Sequence, residues 1–138
     1  MIVVDEYLAI RSLTGLLPDD LPDEPLAVTT SAHWRLLLRI HASGTGQLSQ
    51  VLRALSPADL GVLREPVPAV LEVLDSRPML DQAAALAASY GNTGWHVAET
   101  LVAGLIHGRQ LWFGTERNVG RRMREIADDL GVAIYIAA

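Results

Sequence analysis

The sequence predicts an α/β fold in which a central, mostly parallel sheet is flanked by helices. The strand candidates are short unbroken apolar runs, Ile-Val-Val at residues 2–4 and Leu-Trp-Phe at residues 111–113. Such runs are typical of strands that helices cover on both faces, whereas half-exposed strands alternate apolar and polar residues. These candidates also alternate along the chain with helix candidates. We therefore expect a three-layer fold, and the length of 138 residues fits one domain spanning 1–138.

The elements follow one another with recognisable boundaries. The first strand ends on Asp5 and Glu6, and a helix over 7–17 leads into a polar loop at 18–25 that holds three prolines and four acids. Hydroxyls at 29–31 precede a helix over 32–41, and Ser56 with Pro57 has the residue types of an N-cap and first helical position. The remaining predictions are helices at 47–55, 78–90, 96–107 and 120–130, strands at 67–74, 111–113 and 132–136, and a loop at 114–118.

The composition excludes several kinds of chemistry. All 11 basic residues are arginine, so a Walker-A lysine, a Schiff base and a Ser–Lys dyad are ruled out. The absence of cysteine rules out disulfides, thiol nucleophiles and Cys-ligated zinc. No apolar run has the roughly 18 residues of a membrane span, and the N-terminus lacks a basic signal-peptide region. We therefore expect a cytoplasmic protein with no membrane partner.

Polar residues gather where predicted strands end. Asp5 follows the first strand, while Thr115, Glu116 and Asn118 follow the strand at 111–113. In open parallel sheets, ligands bind at the carboxyl ends of the strands. Carboxylates brought together there repel one another unless a divalent cation neutralises them. Glu99, near the start of a helix, is a third candidate ligand.

Each of these residues also has a structural interpretation. Asp5 is able to cap the helix that follows it, and Glu6 fits a solvated acid of the first helical turn. Glu99 and Glu116 fit exposed acids of a helix and a loop. The arginines between 117 and 124 fit a solvated helix face better than an RNA-binding surface.

The order of four segments carries a family resemblance. These are Ile2-Val3-Val4-Asp5, the Ala-rich run from Leu80 to Gly91, the stretch from Glu99 to Thr115 with Gly108 inside it, and the ending Gly131-Val132-Ala133-Ile134. In this order they resemble PIN-domain proteins, especially VapC-type toxin ribonucleases. The resemblance covers nearly the whole chain. It rests on the four segments taken together, because no single motif among them is specific.

The resemblance implies a metal-dependent endoribonuclease, the toxin of a type II (VapBC-like) toxin–antitoxin system. Its catalytic and metal-binding residues would be Asp5, Glu99 and Glu116, holding Mg²⁺ or Mn²⁺. Its supporting residues would be His96, Thr115 and Asn118, and its RNA-binding residues Arg117, Arg121 and Arg122. His96 is an alternative to Glu99 as the third family acid, and Asn118 an alternative to Glu116 as the fourth. The implied partners are RNA, a cognate antitoxin protein, and a second copy in a homodimer or a toxin–antitoxin hetero-oligomer.

One position departs from the family pattern. The second family acid belongs on the helix at 32–41, and that helix contains no acid. This departure motivates an alternative hypothesis, a degenerate PIN-like module that has weak or no catalytic activity and acts by binding a partner protein. A phospho-receiver domain is a poorer explanation, because it needs a lysine near the last strands.

Overall fold

Five parallel strands form one sheet in the computed structural model, which describes residues 1–15, 17–42, 44 and 46–137. Helices flank the sheet, so the predicted three-layer α/β class is confirmed. The strands, in the spatial order β3-β2-β1-β4-β5, are β1 (Ile2–Val4), β2 (Leu26–Thr29), β3 (Leu71–Leu74), β4 (Gln110–Phe113) and β5 (Ala133–Ile136). The helices are α1 (Glu6–Thr14), α2 (Thr30–His41), α3 (Gln47–Ala54), α4 (Pro57–Arg64), α5 (Leu80–Ser89), α6 (Trp95–Ile106) and α7 (Arg121–Leu130). Two 3₁₀ turns, Arg77–Met79 and Glu116–Asn118, precede α5 and α7.

Strand β1 lies at the centre of the sheet. It pairs with β2 on one side, where Val3 lies opposite Ala27, and with β4 on the other, where Val3 lies opposite Leu111. The chain builds outward from β1 through β2 to β3 and then returns to add β4 and β5. The reversal places a topological switch point between β1 and β4, where α/β sheets open a crevice at their carboxyl ends. Asp5 follows one of these two strands and Gly114 follows the other.

The structure differs from the predicted strands in two places. Strand β2 was not predicted, because its four residues follow Pro25 and end at Thr29, which also caps α2 by accepting a hydrogen bond from the Ala32 N–H at 3.1 Å. The strand predicted over 67–74 begins only at Leu71. Its first residues instead form a turn, in which the Val67 carbonyl accepts hydrogen bonds from the N–H groups of Val70 and Leu71.

Three apolar clusters fix the helices that surround the crevice. One face of the sheet packs against α6 and α7, with Leu101 and Ile126 fully buried. The other face covers Leu8 of α1, and a third cluster joins Leu36 of α2 to Leu63 of α4. The helices that bear the polar residues of the crevice are therefore held by core packing. None of the helices in the described part of the chain is long and apolar enough to cross a membrane.

Candidate functional site at the strand ends

The Asp5 carboxylate is held by three N–H donors at the switch point. Its Oδ1 accepts a hydrogen bond from the Leu8 N–H at 2.9 Å, which caps α1. Its Oδ2 accepts from the Gly114 N–H at 3.0 Å and from the Asn118 amide at 2.8 Å. Asp5 therefore joins β1, α1 and the segment after β4, as the capping interpretation predicted.

Burial raises the pKa of Asp5 to about 6. The side chain is 5% exposed, and desolvation disfavours its ionised form. Hydrogen bonds from Leu8, Asn118 and Gly114 counteract this effect, while the nearby charge of Glu6 adds to it. The carboxyl consequently titrates close to neutral pH.

Glu6 is buried and paired with Arg35. Its residue exposure is 4%, and its Oε1 lies 3.4 Å from Nη2 of Arg35 on α2. The interpretation of Glu6 as a solvated acid was therefore wrong, because α2 packs against α1 and covers this first turn. Its second oxygen, Oε2, has no hydrogen-bond partner among the described residues. The strand-end site thus contains a buried carboxylate with one oxygen unsatisfied.

His96 lies between Arg35 and Ser31. Its Nε2 is 2.6 Å from Nη1 of Arg35, and its Nδ1 is 2.8 Å from the Ser31 hydroxyl. Because a guanidinium only donates, Nε2 must accept, and Nδ1 therefore carries the proton and donates to Ser31. Burial and then the charge of Arg35 lower the pKa of His96 to about 4. The imidazole is therefore neutral at physiological pH.

Glu99 lies one helical turn after His96 and contacts the start of α2. Its Oε1 accepts a hydrogen bond from the Ser31 N–H at 2.8 Å, and the residue is 1% exposed. A carboxylate suits this position, since the N-terminus of a helix presents unpaired N–H groups. Its Oε2 lacks a partner among the described residues. The interpretation of Glu99 as an exposed acid was wrong.

A small cavity lies among these side chains. Its volume is about 10 Å³, roughly the space that one water molecule requires. Its polar lining comprises Asp5, Glu6, Thr29, Arg35, His96, Thr100 and Asn118. The site as it stands is therefore a nearly closed polar cluster at the mouth of the sheet.

Glu116 and Thr115 do not join the cluster. The Glu116 side chain is 78% exposed, and its carboxylate pairs with Arg124 of α7 at 3.1 Å. The Thr115 hydroxyl accepts a hydrogen bond from the Arg117 N–H at 3.4 Å. Of the predicted residues that follow β4, Asn118 alone contacts Asp5 in the described structure.

The predicted RNA-binding arginines are exposed and lie apart from the cavity. Arg121 and Arg122 both pair with Glu125, at 3.1 Å and 3.7 Å. Arg122 also stacks over the ring of Tyr90, with 5.8 Å from its guanidinium carbon to the ring centre. These pairs match the solvated helix face that the sequence favoured.

The residues present do not fit the predicted three-carboxylate metal centre. Within the described ranges, no three Asp, Glu or His side chains are grouped closely enough to hold a metal ion. Asp5 is occupied by three donors, Glu116 faces α7, and the Arg35 guanidinium already stands against the Glu6 carboxylate. The expected convergence of Asp5, Glu99 and Glu116 is therefore not found.

Arg35, Glu6 and Ser31 are site residues that sequence reasoning missed. Glu6 and Arg35 are distant in the sequence, and only the packing of α1 against α2 brings them together. One signal was available, because Arg35 lies on α2, the helix where the resemblance expects an acid.

Comparison of the chain with protein-family models, curated proteins and solved structures finds no match.

Proposed function

We propose that this chain is a PIN-like module that acts by binding a partner protein and does not hydrolyse RNA. The observation that carries the proposal is the Arg35–Glu6 ion pair, which places a cationic side chain among the carboxylates of the strand ends. A site arranged in this way supports a structural role for its acids. The PIN-like part of the proposal rests on the sequence resemblance and on the parallel sheet of five strands.

A groove between α5 and α6 supports the binding role. It has a volume of about 230 Å³, and its lining is apolar except for Thr93. Leu80 and Trp95 at its sides are 52% and 46% exposed. An amphipathic helix binds by placing its apolar face in such a groove. Because the chain has a net charge of −5, we propose a basic amphipathic helix of an antitoxin-like protein as the partner.

The first experiment measures RNA cleavage by the wild type and by Asp5→Asn, with Mg²⁺, with Mn²⁺ and with EDTA. We expect the same background cleavage in every sample. Metal-dependent cleavage by the wild type that EDTA and Asp5→Asn both abolish would overturn the proposal in favour of the ribonuclease.

The second experiment tests the groove. Binding of a fluorescent basic amphipathic peptide is measured by anisotropy for the wild type, for Ala84→Arg in the groove lining and for Ala88→Arg, which is exposed on the same helix outside that lining. Both substitutions add the same charge to the same helix, but only the arginine at position 84 blocks the apolar groove. We therefore expect Ala84→Arg to weaken binding at least ~10-fold and Ala88→Arg to change it little. Equal binding by the two variants contradicts the assignment of the groove.

A metal-dependent toxin ribonuclease is the second candidate. One observation favours it, since Glu6 Oε2 and Glu99 Oε2 are both buried without a partner in the described structure. Unsatisfied carboxylate oxygens attract cations, and Glu6 directly follows Asp5 while Glu99 lies one helical turn after His96, which lines the same cavity as Asp5. The cleavage experiment decides between the two candidates. Under either of them, we also propose binding to an antitoxin-like protein and self-association.

A further inference from the structure

We infer that Arg35 is the resident cation of the strand-end site, where its guanidinium takes the place of a divalent metal ion between Glu6 and His96. The inference rests on the proposed function, in which the site of the wild type holds no metal. It goes further by assigning the exclusion of metal to one side chain. It also predicts that a metal site appears when that side chain is removed.

Arg35 contacts two side chains of the kinds that ligate metals. One terminal nitrogen lies 3.4 Å from Glu6 Oε1 and the other 2.6 Å from His96 Nε2. The guanidinium therefore joins a carboxylate oxygen and an imidazole nitrogen, which are both metal-ligating atoms. A metal ion that entered the space left by the guanidinium would draw on the same two atoms, each of which must then come within about 2 Å of it.

The chemistry of His96 supports this role. A metal ligand must present an unprotonated ring nitrogen, while its other nitrogen donates to a fixed acceptor. Nε2 is already in the accepting form, since it faces a group that only donates, and Nδ1 donates to the Ser31 hydroxyl at 2.8 Å. The imidazole therefore has the tautomer and the outer hydrogen bond that a metal ligand needs.

The charge around the cavity requires a cation. Glu6 is buried with Oε2 unpartnered among the described residues, and Asp5 lines the same cavity. Arg35 is the basic side chain that lines this cavity beside the two acids, apart from the neutral His96. Without Arg35, the buried Glu6 carboxylate would keep no ion-pair partner among the described residues.

The ligand types indicate which metals would enter. Imidazole combined with carboxylate suits Zn²⁺ and Mn²⁺, whereas Mg²⁺ prefers oxygen ligands and keeps its waters. We therefore expect the vacated site to respond to Zn²⁺ and Mn²⁺ more strongly than to Mg²⁺.

The experiment compares metal binding by the wild type and by Arg35→Met, which keeps much of the aliphatic packing and removes the charge. Thermal unfolding and calorimetric titration are recorded with Zn²⁺, Mn²⁺ and Mg²⁺. We expect Zn²⁺ and Mn²⁺ to raise the Tm of Arg35→Met by about 5 °C at saturating metal, with little change in the wild type. The expected gain in affinity is at least ~10-fold.

Two controls separate this site from adventitious binding. Arg39→Met removes an exposed arginine one turn along α2 and leaves every histidine in place, so it should behave as the wild type. The double variant Glu6→Gln with Arg35→Met removes the carboxylate ligand and should lose the metal response. A response that survives Glu6→Gln overturns the assignment.

The outcomes also distinguish this inference from the proposed function. If neither wild type nor Arg35→Met binds metal, the inference is wrong and the proposed function stands. If the wild type binds as tightly as the variant, the inference is wrong, and the cleavage experiment still decides the proposed function separately. Should Arg35→Met fail to fold without metal, folding induced by Zn²⁺ supports the inference. If Zn²⁺ does not induce folding, Arg35→Gln, whose amide can still donate to Glu6 or His96, is titrated instead, and no response there overturns it.

Discussion

Replacement of Asp5 by asparagine should change how the stability of the protein depends on pH. Burial raises the pKa of this carboxyl from 3.8 to about 6, so the folded protein binds its proton more tightly than the unfolded chain. The resulting stabilisation is fully present below pH 3.8 and is lost as the pH rises through about 6. At about 1.4 kcal/mol per pKa unit the full effect is ~3 kcal/mol, of which the wild type should gain ~2.4 kcal/mol relative to Asp5→Asn by about pH 4, where the unfolded chain is only partly protonated.

The assay is urea unfolding of both proteins at about pH 7.5 and about pH 4, analysed by linear extrapolation. Asparagine keeps an oxygen for the Leu8 N–H, but its amide nitrogen only donates and therefore accepts from neither Gly114 nor Asn118. That loss is similar at every pH, so the change in the difference between the two proteins isolates the carboxyl. Parallel pH profiles for the two proteins would refute the reasoning.

Three further predictions concern His96 and two glycines. The pKa of His96 is lowered to about 4, so its contribution to stability is present above pH 6.5 and lost as the pH falls through 4. His96→Gln should therefore lose ~2 kcal/mol less unfolding free energy on acidification than the wild type. This is less than the pKa change alone would give, because the ring is partly exposed to solvent. An unchanged pH midpoint of acid unfolding would contradict this prediction. Gly114→Ala should cost about 1–3 kcal/mol in urea unfolding, because its Cβ would lie 2.7 Å from the Cβ of Tyr7, and an unaltered midpoint would count against that contact. Gly61→Ala, on α4 with open space around it, should instead stabilise by about 0.5–1 kcal/mol, and a loss of stability would refute the helix-propensity argument.

Local signals explain how much of the fold the sequence predicted. The apolar run of β1 and the Ser56 cap, whose hydroxyl accepts from the Asp59 N–H at 3.2 Å, depend on neighbouring residues and were found where predicted. Strand β2 was missed because its four residues share Thr29 with the cap of α2 and resemble the approach to a helix. This short strand is specified by its pairing with β1 and β3, and those contacts are distant in the sequence.

The site was less predictable than the fold because its contacts cross between elements. Of the three polar residues expected near Asp5 at the strand ends, Asn118 donates a hydrogen bond to it, because parallel strands share one carboxyl edge. The direction of Glu116 depended on Arg124, one of several nearby arginines that could have paired with it. The contact of Arg35 with Glu6 required the packing of α2 on α1 to be known. The charged residues of a helix can be read from the sequence, but the residues with which they form ion pairs cannot.

The central position of β1 determines when the site can form. Asp5 bonds to groups 109 and 113 positions later in the chain, and β1 lies between β2 and β4. At translation rates of about 5–20 residues per second, roughly 5–20 s separate the synthesis of Asp5 from that of Gly114. During that interval the β4 edge of β1 has no partner, and the Asp5 carboxylate lacks two of its three donors. The surroundings of Asp5 are therefore complete only once β4 has docked beside β1, and a titration of this group during refolding would follow that docking.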